Sequence, residues 1–217
     1  SANDMAIEGV PELIEQRLKG MPIAYLTEQK EFMSRTFMVN PDVLIPRPET
    51  ETLVERVLED YDRSQNLRIA DIGTGSGVIA ISLKLALPSY TVYGIDVSRN
   101  ALAIAKKNAK NLDADIHFLR SNLFAQFRSD RIDVIVANLP YLVEADLNDS
   151  PSTNELLHEP RLALIAGQDG LAVIYRLIEQ APDYLSANGK VYLELEPRQI
   201  PILKQWVKQN HPQFLFA

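Results

Sequence analysis

The chain has 217 residues, 46% of them hydrophobic, enough for one substantial core or a domain with a small appendage. It has no cysteine, which excludes disulfides, thiolate metal sites and a cysteine nucleophile, and no apolar run approaches a membrane span. A formal charge of −7 opposes a general nucleic-acid-binding role, because phosphate neutralisation calls for basic excess.

No signal-peptide pattern opens the chain, so a cytoplasmic location is expected. Residues Pro11 to Lys19 read as a short helix, with Leu13, Ile14 and Leu18 on one side and Gly20 as a stop. Glu31-Phe32-Met33 and Thr36-Phe37-Met38-Val39 read as a β-hairpin turning at Ser34-Arg35. Pro41, Pro46 and Pro48 impose an extended path. A helix is expected from Glu49, burying Leu53, Val54, Val57 and Leu58.

From Leu67 onward strands and helices alternate. Strands are expected at Arg68 to Asp71, Tyr90 to Asp96, Ile116 to Leu119, Ile132 to Ala137 and, after a turn at Gly189, Val191 to Leu195. Helices are expected at Val78 to Leu87, Ala101 to Leu112, Gly170 to Leu185 and Ile202 to Gln209. Phe214-Leu215-Phe216-Ala217 reads as the start of a further strand. Apolar strands separated by helices imply a doubly wound, Rossmann-like α/β fold with a parallel sheet covered on both faces. Ligands of such a sheet bind at the carboxyl ends of its strands.

Two motifs fall at that edge. Asp71-Ile72-Gly73-Thr74-Gly75-Ser76-Gly77 follows the first strand and opens a helix. Its glycines permit a tight turn and let the backbone approach a ligand. Asp96 ends the next strand, ~20 residues on, where nucleotide-binding folds place a ribose-gripping carboxylate. A dinucleotide fingerprint would want its third glycine at Val78; Gly-x-Gly-x-Gly is instead the spacing of enzymes that use S-adenosylmethionine. A ligand-free turn and a nicotinamide site are the weaker readings. For Asp71 two readings stay open, an anchor for the cofactor's ammonium group and a loop stabiliser.

The second motif, Asn138-Leu139-Pro140-Tyr141, follows the fourth strand. An amide nitrogen is a poor nucleophile because its lone pair is delocalised. The Asn138 side-chain oxygen and the Pro140 carbonyl can each accept an N–H, aiming the nitrogen at a methyl donor, while Tyr141 stacks on the planar group. Taken alone, the motif reads equally well as a polar loop capping a buried strand. Glu194 and Glu196, near the end of the fifth strand, are candidates to border the pocket, with an exposed carboxylate the equally open reading. The histidines His117, His158 and His211 are scattered without metal-ligand spacing, so no metal is expected. Lys106, Lys107 and Lys110 read as a solvated helix face.

Ile45-Pro46-Arg47-Pro48-Glu49-Thr50-Glu51, with the glycine motif, resembles the HemK/PrmC family of glutamine methyltransferases acting on peptide chain release factors. Pro22-Ile23-Ala24-Tyr25-Leu26, Glu159-Pro160-Arg161-Leu162-Ala163-Leu164 and Gly167-Gln168-Asp169-Gly170-Leu171 carry the same resemblance, which runs from Pro22 to about Gln199. It implies a class I S-adenosylmethionine-dependent methyltransferase domain over residues 49–217. Residues 1–48 would then be a helix and hairpin left from a larger helical domain. It implies cofactor contacts from Asp71, Gly73, Thr74, Gly75, Ser76, Gly77, Asp96, Val97, Asn122, Leu123 and Asn138. It places the substrate glutamine on Asn138, Leu139, Pro140 and Tyr141, bordered by Arg47 and Glu49. A release factor is the implied partner; no membrane is expected, and the acidic charge argues against nucleic acid.

Three departures from the family pattern stand out. Leu139 replaces the first proline of Asn-Pro-Pro-Tyr, giving a motif similar to that of ribosomal RNA adenine dimethyltransferases. Asn122 stands where the family tends to carry a carboxylate near the adenine, and its carbonyl oxygen can still bond the adenine edge. Most of the family's N-terminal helical domain is expected to be missing, since only a short predicted helix precedes Pro22. The rival readings are accordingly an RNA or DNA adenine methyltransferase and a cofactor-binding paralogue without activity.

Overall fold

Along the central strands, Arg68–Ile72 and Ile132–Ala137, apolar side chains fall on both faces, so both faces of the sheet must be covered. In the computed structural model, which describes residues 9–128, 131–146 and 153–216, that is what the helices do. Ile69, Val134 and Val136 face one core, shared with Leu53, Val54, Val57, Ile81 and Leu83. Their neighbours Ala70, Ile135 and Ala137 face a second, shared with Leu171, Ile174, Leu177 and Leu203. Period-two alternation with oil on both sides is the signature of a buried parallel sheet.

The sheet contains β3 (Arg68–Ile72), β4 (Thr91–Asp96), β5 (His117–Arg120), β6 (Ile132–Ala137) and β7 (Leu185–Leu193), in the order β5-β4-β3-β6-β7. All four pairings are parallel. The helices α3 (Glu49–Asp60), α4 (Val78–Ala86) and α5 (Arg99–Asn111) precede β6, and α6 (Thr153–Leu156), α7 (Arg161–Leu164), α8 (Ala172–Tyr184) and α9 (Ile200–Asn210) follow it. The chain winds outward from β3 through β4 to β5, then returns to place β6 on the other side of β3. The crevice between the ends of β3 and β6 is therefore the topological switch point, where such sheets bind ligands.

The hairpin forms from β1 (Gln29–Phe32) and β2 (Arg35–Met38), after the short helices α1 (Val10–Leu18) and α2 (Ile23–Leu26). Its turn is Met33-Ser34, one residue earlier than expected, with φ of 49° and 57°. That left-handed pair matches the strand twist even without glycine. Glu51 of α3 fixes the turn by accepting the Met33 N–H at 2.8 Å. Phe32 and Phe37 pack edge to face and belong to the α3–α4 core, and Val39, Val43 and Ile45 pack with Ala101 and Ile104 of α5.

Three expectations are corrected. β7 begins at Leu185, directly after α8, and contains Gly189; its pairing with β6 shifts register between Ile132 and Val134. Leu58 is only half-buried, and the fourth fully covered position of α3 is Thr50. Phe214 to Phe216 form no strand: Phe214 turns back, its N–H bonding the His211 carbonyl at 3.0 Å, and packs on the α8–α9 core. A strand exists only through its pairing, and these residues find no partner among the described ones; Ala217 lies outside them. The apolar side of α1 is uncovered, with Leu18 at 82% exposure.

Asn108 of α5 is buried and serves both halves of the molecule. Its Oδ1 accepts the Met38 N–H at 2.7 Å, and its Nδ2 donates to Met38 O at 3.0 Å and Ser76 O at 2.9 Å. Asn108→Ala leaves three backbone groups without partners, so urea denaturation should show a loss of about 3 kcal/mol; a loss below about 1 kcal/mol would contradict this account.

Candidate active site

The glycine loop turns between β3 and α4 with all three glycines left-handed: Gly73 at φ 77°, Gly75 at 54° and Gly77 at 86°. The Gly73 and Thr74 N–H groups both bond Ile95 O, at 2.8 and 3.0 Å, tying the loop to β4. Asp71 stands behind it. Its Oδ2 accepts the Thr74 hydroxyl at 2.6 Å and the Ala80 N–H at 3.1 Å, while Oδ1 is buried without a partner. Asp96, at the end of β4, accepts the Gly75 N–H at 2.9 Å and the Ser98 N–H at 2.8 Å. Burial raises its pKa above the ordinary carboxylate value, opposed by the N–H groups of Ser98, Gly75 and Val97.

Asn138 leaves β6 beside this loop. A Cβ on Gly73 would lie 2.9 Å from Leu139 Cδ2 and 3.7 Å from Asn138 O, so the two motifs are in contact. Asn138 Nδ2 donates to Thr50 Oγ1 at 2.9 Å. Tyr141 O accepts from Gln199 Nε2 at 2.9 Å. Gly170 runs so close to this carbonyl that a Cβ there would sit 2.0 Å from it, which explains a glycine at that position in the Gly167–Leu171 segment.

A strap, residues 40–48, closes the other side. Glu159, 4% exposed, accepts the Ile45 N–H at 3.0 Å through Oε2 and pairs with Arg47 through Oε1. The Tyr25 hydroxyl donates to Val43 O at 2.6 Å. The segments that carry the family resemblance thus hold one another around the site.

The resulting cavity has a volume of about 270 Å³, near the small end of ligand pockets. From the glycine loop Gly73, Thr74, Gly75 and Ser76 line it, and from the β4 end Asp96 and Val97. Asn122 and Leu123 close one end, and Asn138, Leu139 and Pro140 a wall, with Arg47 at the strap. Asp71, Gly77, Glu49 and Tyr141 do not line it. Asp71 and Gly77 shape the loop from behind, Glu49 is exposed, and Tyr141 is half-buried with its pKa raised by burial and by Glu194 and Glu196.

Sequence reasoning missed Thr50 as a partner of Asn138, Gln199 as the tether of Tyr141, and Glu159 as the anchor of the strap. It also missed Arg176 of α8, which lines the cavity and donates to Asn122 Oδ1 at 3.0 Å. The expected adenine acceptor on Asn122 is therefore shared, keeping one lone pair and its NH2 group free of that bond. None of these four lies in a motif read for chemistry except Thr50 and Glu159, which the family resemblance includes without a role.

A parallel sheet in this order, with a glycine loop and an Asn-x-Pro-Tyr turn sharing the switch-point cavity, defines a class I methyltransferase. Residues 48–167 match the methyltransferase small domain family. A methyltransferase from Pyrococcus furiosus shares the fold at a TM-score of 0.62, with 19% identity over 91% of this chain and 86% of that one. A Thermus thermophilus 16S rRNA methyltransferase, solved in complex with AdoMet and guanosine, shares it at 0.60, with 20% identity over 82% of this chain and 44% of that one. The release factor glutamine methyltransferase of Enterococcus faecalis is 41% identical over 92% of this chain and 72% of its own length. The chain belongs to the release factor glutamine methyltransferase family.

Burial pushes the Asp71 carboxyl up to about 7, against the pull of its two hydrogen bonds and with a small contribution from Asp96. From its ordinary value of 3.8 up to about 7 the unfolded chain loses this proton while the folded chain keeps it. Unfolding free energy should therefore fall with rising pH across that window relative to Asp71→Asn, by on the order of 1 kcal/mol per pH unit, and level off above it. Parallel pH profiles for the two proteins would refute the buried-acid assignment.

Proposed function

We propose that this chain methylates the side-chain amide nitrogen of a glutamine in a peptide chain release factor, with S-adenosylmethionine as methyl donor. The observation that carries the reading is the contact of the glycine loop with the Asn138 turn in one cavity, in a chain of this family. The cavity suits the donor's chemistry. The left-handed Gly73 and Gly75 bare the backbone of its floor, and Asp96 presents a carboxylate to a ribose. Asn122 and Leu123 close the end where a base would lie. Bound there, S-adenosylmethionine would supply a sulfonium-activated methyl group to the nitrogen, which sheds one proton to solvent.

The protein's part is orientation. Because Asn138 turns its NH2 toward Thr50 and Glu194, its Oδ1 remains as an acceptor for one N–H of the substrate amide. The Pro140 carbonyl accepts the other. Two acceptors hold the nitrogen in place and raise its electron density. Tyr141, next in the chain, supplies the flat face that bounds the amide plane. Arg47, paired with Glu159, holds the strap at the rim.

Labelled S-adenosylmethionine, offered with a release factor or with ribosomal RNA, tests the reading. Label on the factor's glutamine supports it; label on RNA alone would favour the adenine reading that Leu139 invites. Asn138→Ala should lower kcat on the factor by about 100-fold, the usual cost of one preorganised hydrogen-bonding group. Asp96→Asn should weaken S-adenosylmethionine binding about tenfold by calorimetry, the loss expected of one charge-assisted hydrogen bond.

A further inference from the structure

Of the two carboxylates near the end of β7, Glu196 is occupied: it pairs with Arg198 at 2.7 Å and caps the 3-10 turn Pro197–Gln199. Glu194 is not. Its N–H bonds Ala137 O at 3.1 Å, continuing the β6–β7 ladder past the Ala137–Leu193 pair. Asn138 and Glu194 therefore leave the sheet side by side. The Oε2 atom of Glu194 is buried without a hydrogen-bond partner. Thr50 and Asn138 face this carboxylate and line the cavity, whereas Glu194 does not line it.

Resting on the glutamine-methylation reading, we propose that Glu194 is a positioning residue. Directly and through Thr50 it orients the Asn138 carboxamide so that the carbonyl oxygen, and not the NH2, faces the substrate nitrogen. An ionised carboxylate only accepts hydrogen bonds, so it polarises its neighbours one way. The Thr50 hydroxyl turns its proton toward Glu194 and its lone pair toward Asn138, whose Nδ2 donates to Thr50 at 2.9 Å. The Asn138 oxygen is left for the cavity. A glutamine at 194 offers both donor and acceptor, and this direction is lost. An asparagine turned the other way would present N–H to N–H and repel the substrate.

Burial raises the pKa of Glu194, Glu49 of α3 adds to the shift, and Thr50, Asn138 and Arg47 oppose it. Tyr141 also faces this group. Asn138 should therefore sense a titration above the ordinary glutamate range. In the unmodified chain without cofactor, the 15N signal of the Asn138 side-chain NH2, assigned by its loss in Asn138→Ala, should shift with an apparent pKa above 4.5; in Glu194→Gln it should be flat over that range. A signal that does not titrate in the parent protein, or that titrates unchanged in Glu194→Gln, overturns the proposal.

Kinetics supply an independent readout. With a release factor the substitution should lower kcat at least about tenfold, leave the KM for S-adenosylmethionine within about twofold, and flatten the acidic limb of the pH–rate profile. Thr50→Val should lose activity by the same route, and the double variant should lose no more than the worse single one. A parent enzyme that methylates the factor and a Glu194→Gln protein with equal kcat would sink this inference and leave the proposed function standing. A folded parent enzyme that methylates no factor would sink the function, while the titration would still decide how Asn138 is held.

Discussion

The site depends on the parallel pairing of β3 with β6, joined from Ile69↔Val134 to Asp71↔Val136. Parallel strands send their carboxyl ends to the same edge, and the switch in winding leaves that edge uncovered just there. The glycine loop and the Asn138 turn, far apart in the chain, thereby meet without any device of their own. The glycines complete the approach: with a side chain at 73, Leu139 would have to yield.

Around that meeting point the protein builds walls from remote segments. Glu159, between α6 and α7, grips the strap at Ile45 and Arg47; Tyr25 grips it at Val43; Gln199, before α9, holds Tyr141. Each is a buried or half-buried polar contact whose loss leaves a backbone or charged group unsatisfied. The short blocks of sequence that mark the family are in this sense one structure. Arg-Pro-Glu-Thr-Glu supplies the strap's end and Thr50, and Glu-Pro-Arg supplies its anchor.

How much of this could be read without coordinates follows from the range of the interactions involved. The alternation of β3, α4, β4 and α5, the glycine loop and Asp96 rest on local patterning and on a short, fixed spacing, and the structure has them within a residue or two of expectation. The hairpin was legible from Phe32 and Phe37, but its turn was misplaced by one residue because Met33 and Ser34 carry no glycine signal; their conformation is imposed by pairing and by Glu51. Thr50, Glu159, Arg176 and Gln199 escaped because their partners lie 88, 112, 54 and 58 residues away, and no periodicity encodes such distances. The closing Phe-Leu-Phe read as a strand on composition alone, and composition says nothing about whether a neighbour exists to pair with.

The Gln199–Tyr141 tether also sets an order of assembly. During synthesis the bonds that tie the glycine loop to Ile95 and Asp96 become available as soon as β4 has emerged. The turn at Tyr141 emerges later and must wait another 58 residues for its Gln199 anchor. A nascent chain thus holds the glycine loop in place well before the turn at Tyr141 is tethered, and the second is finished only once Gln199 has been added.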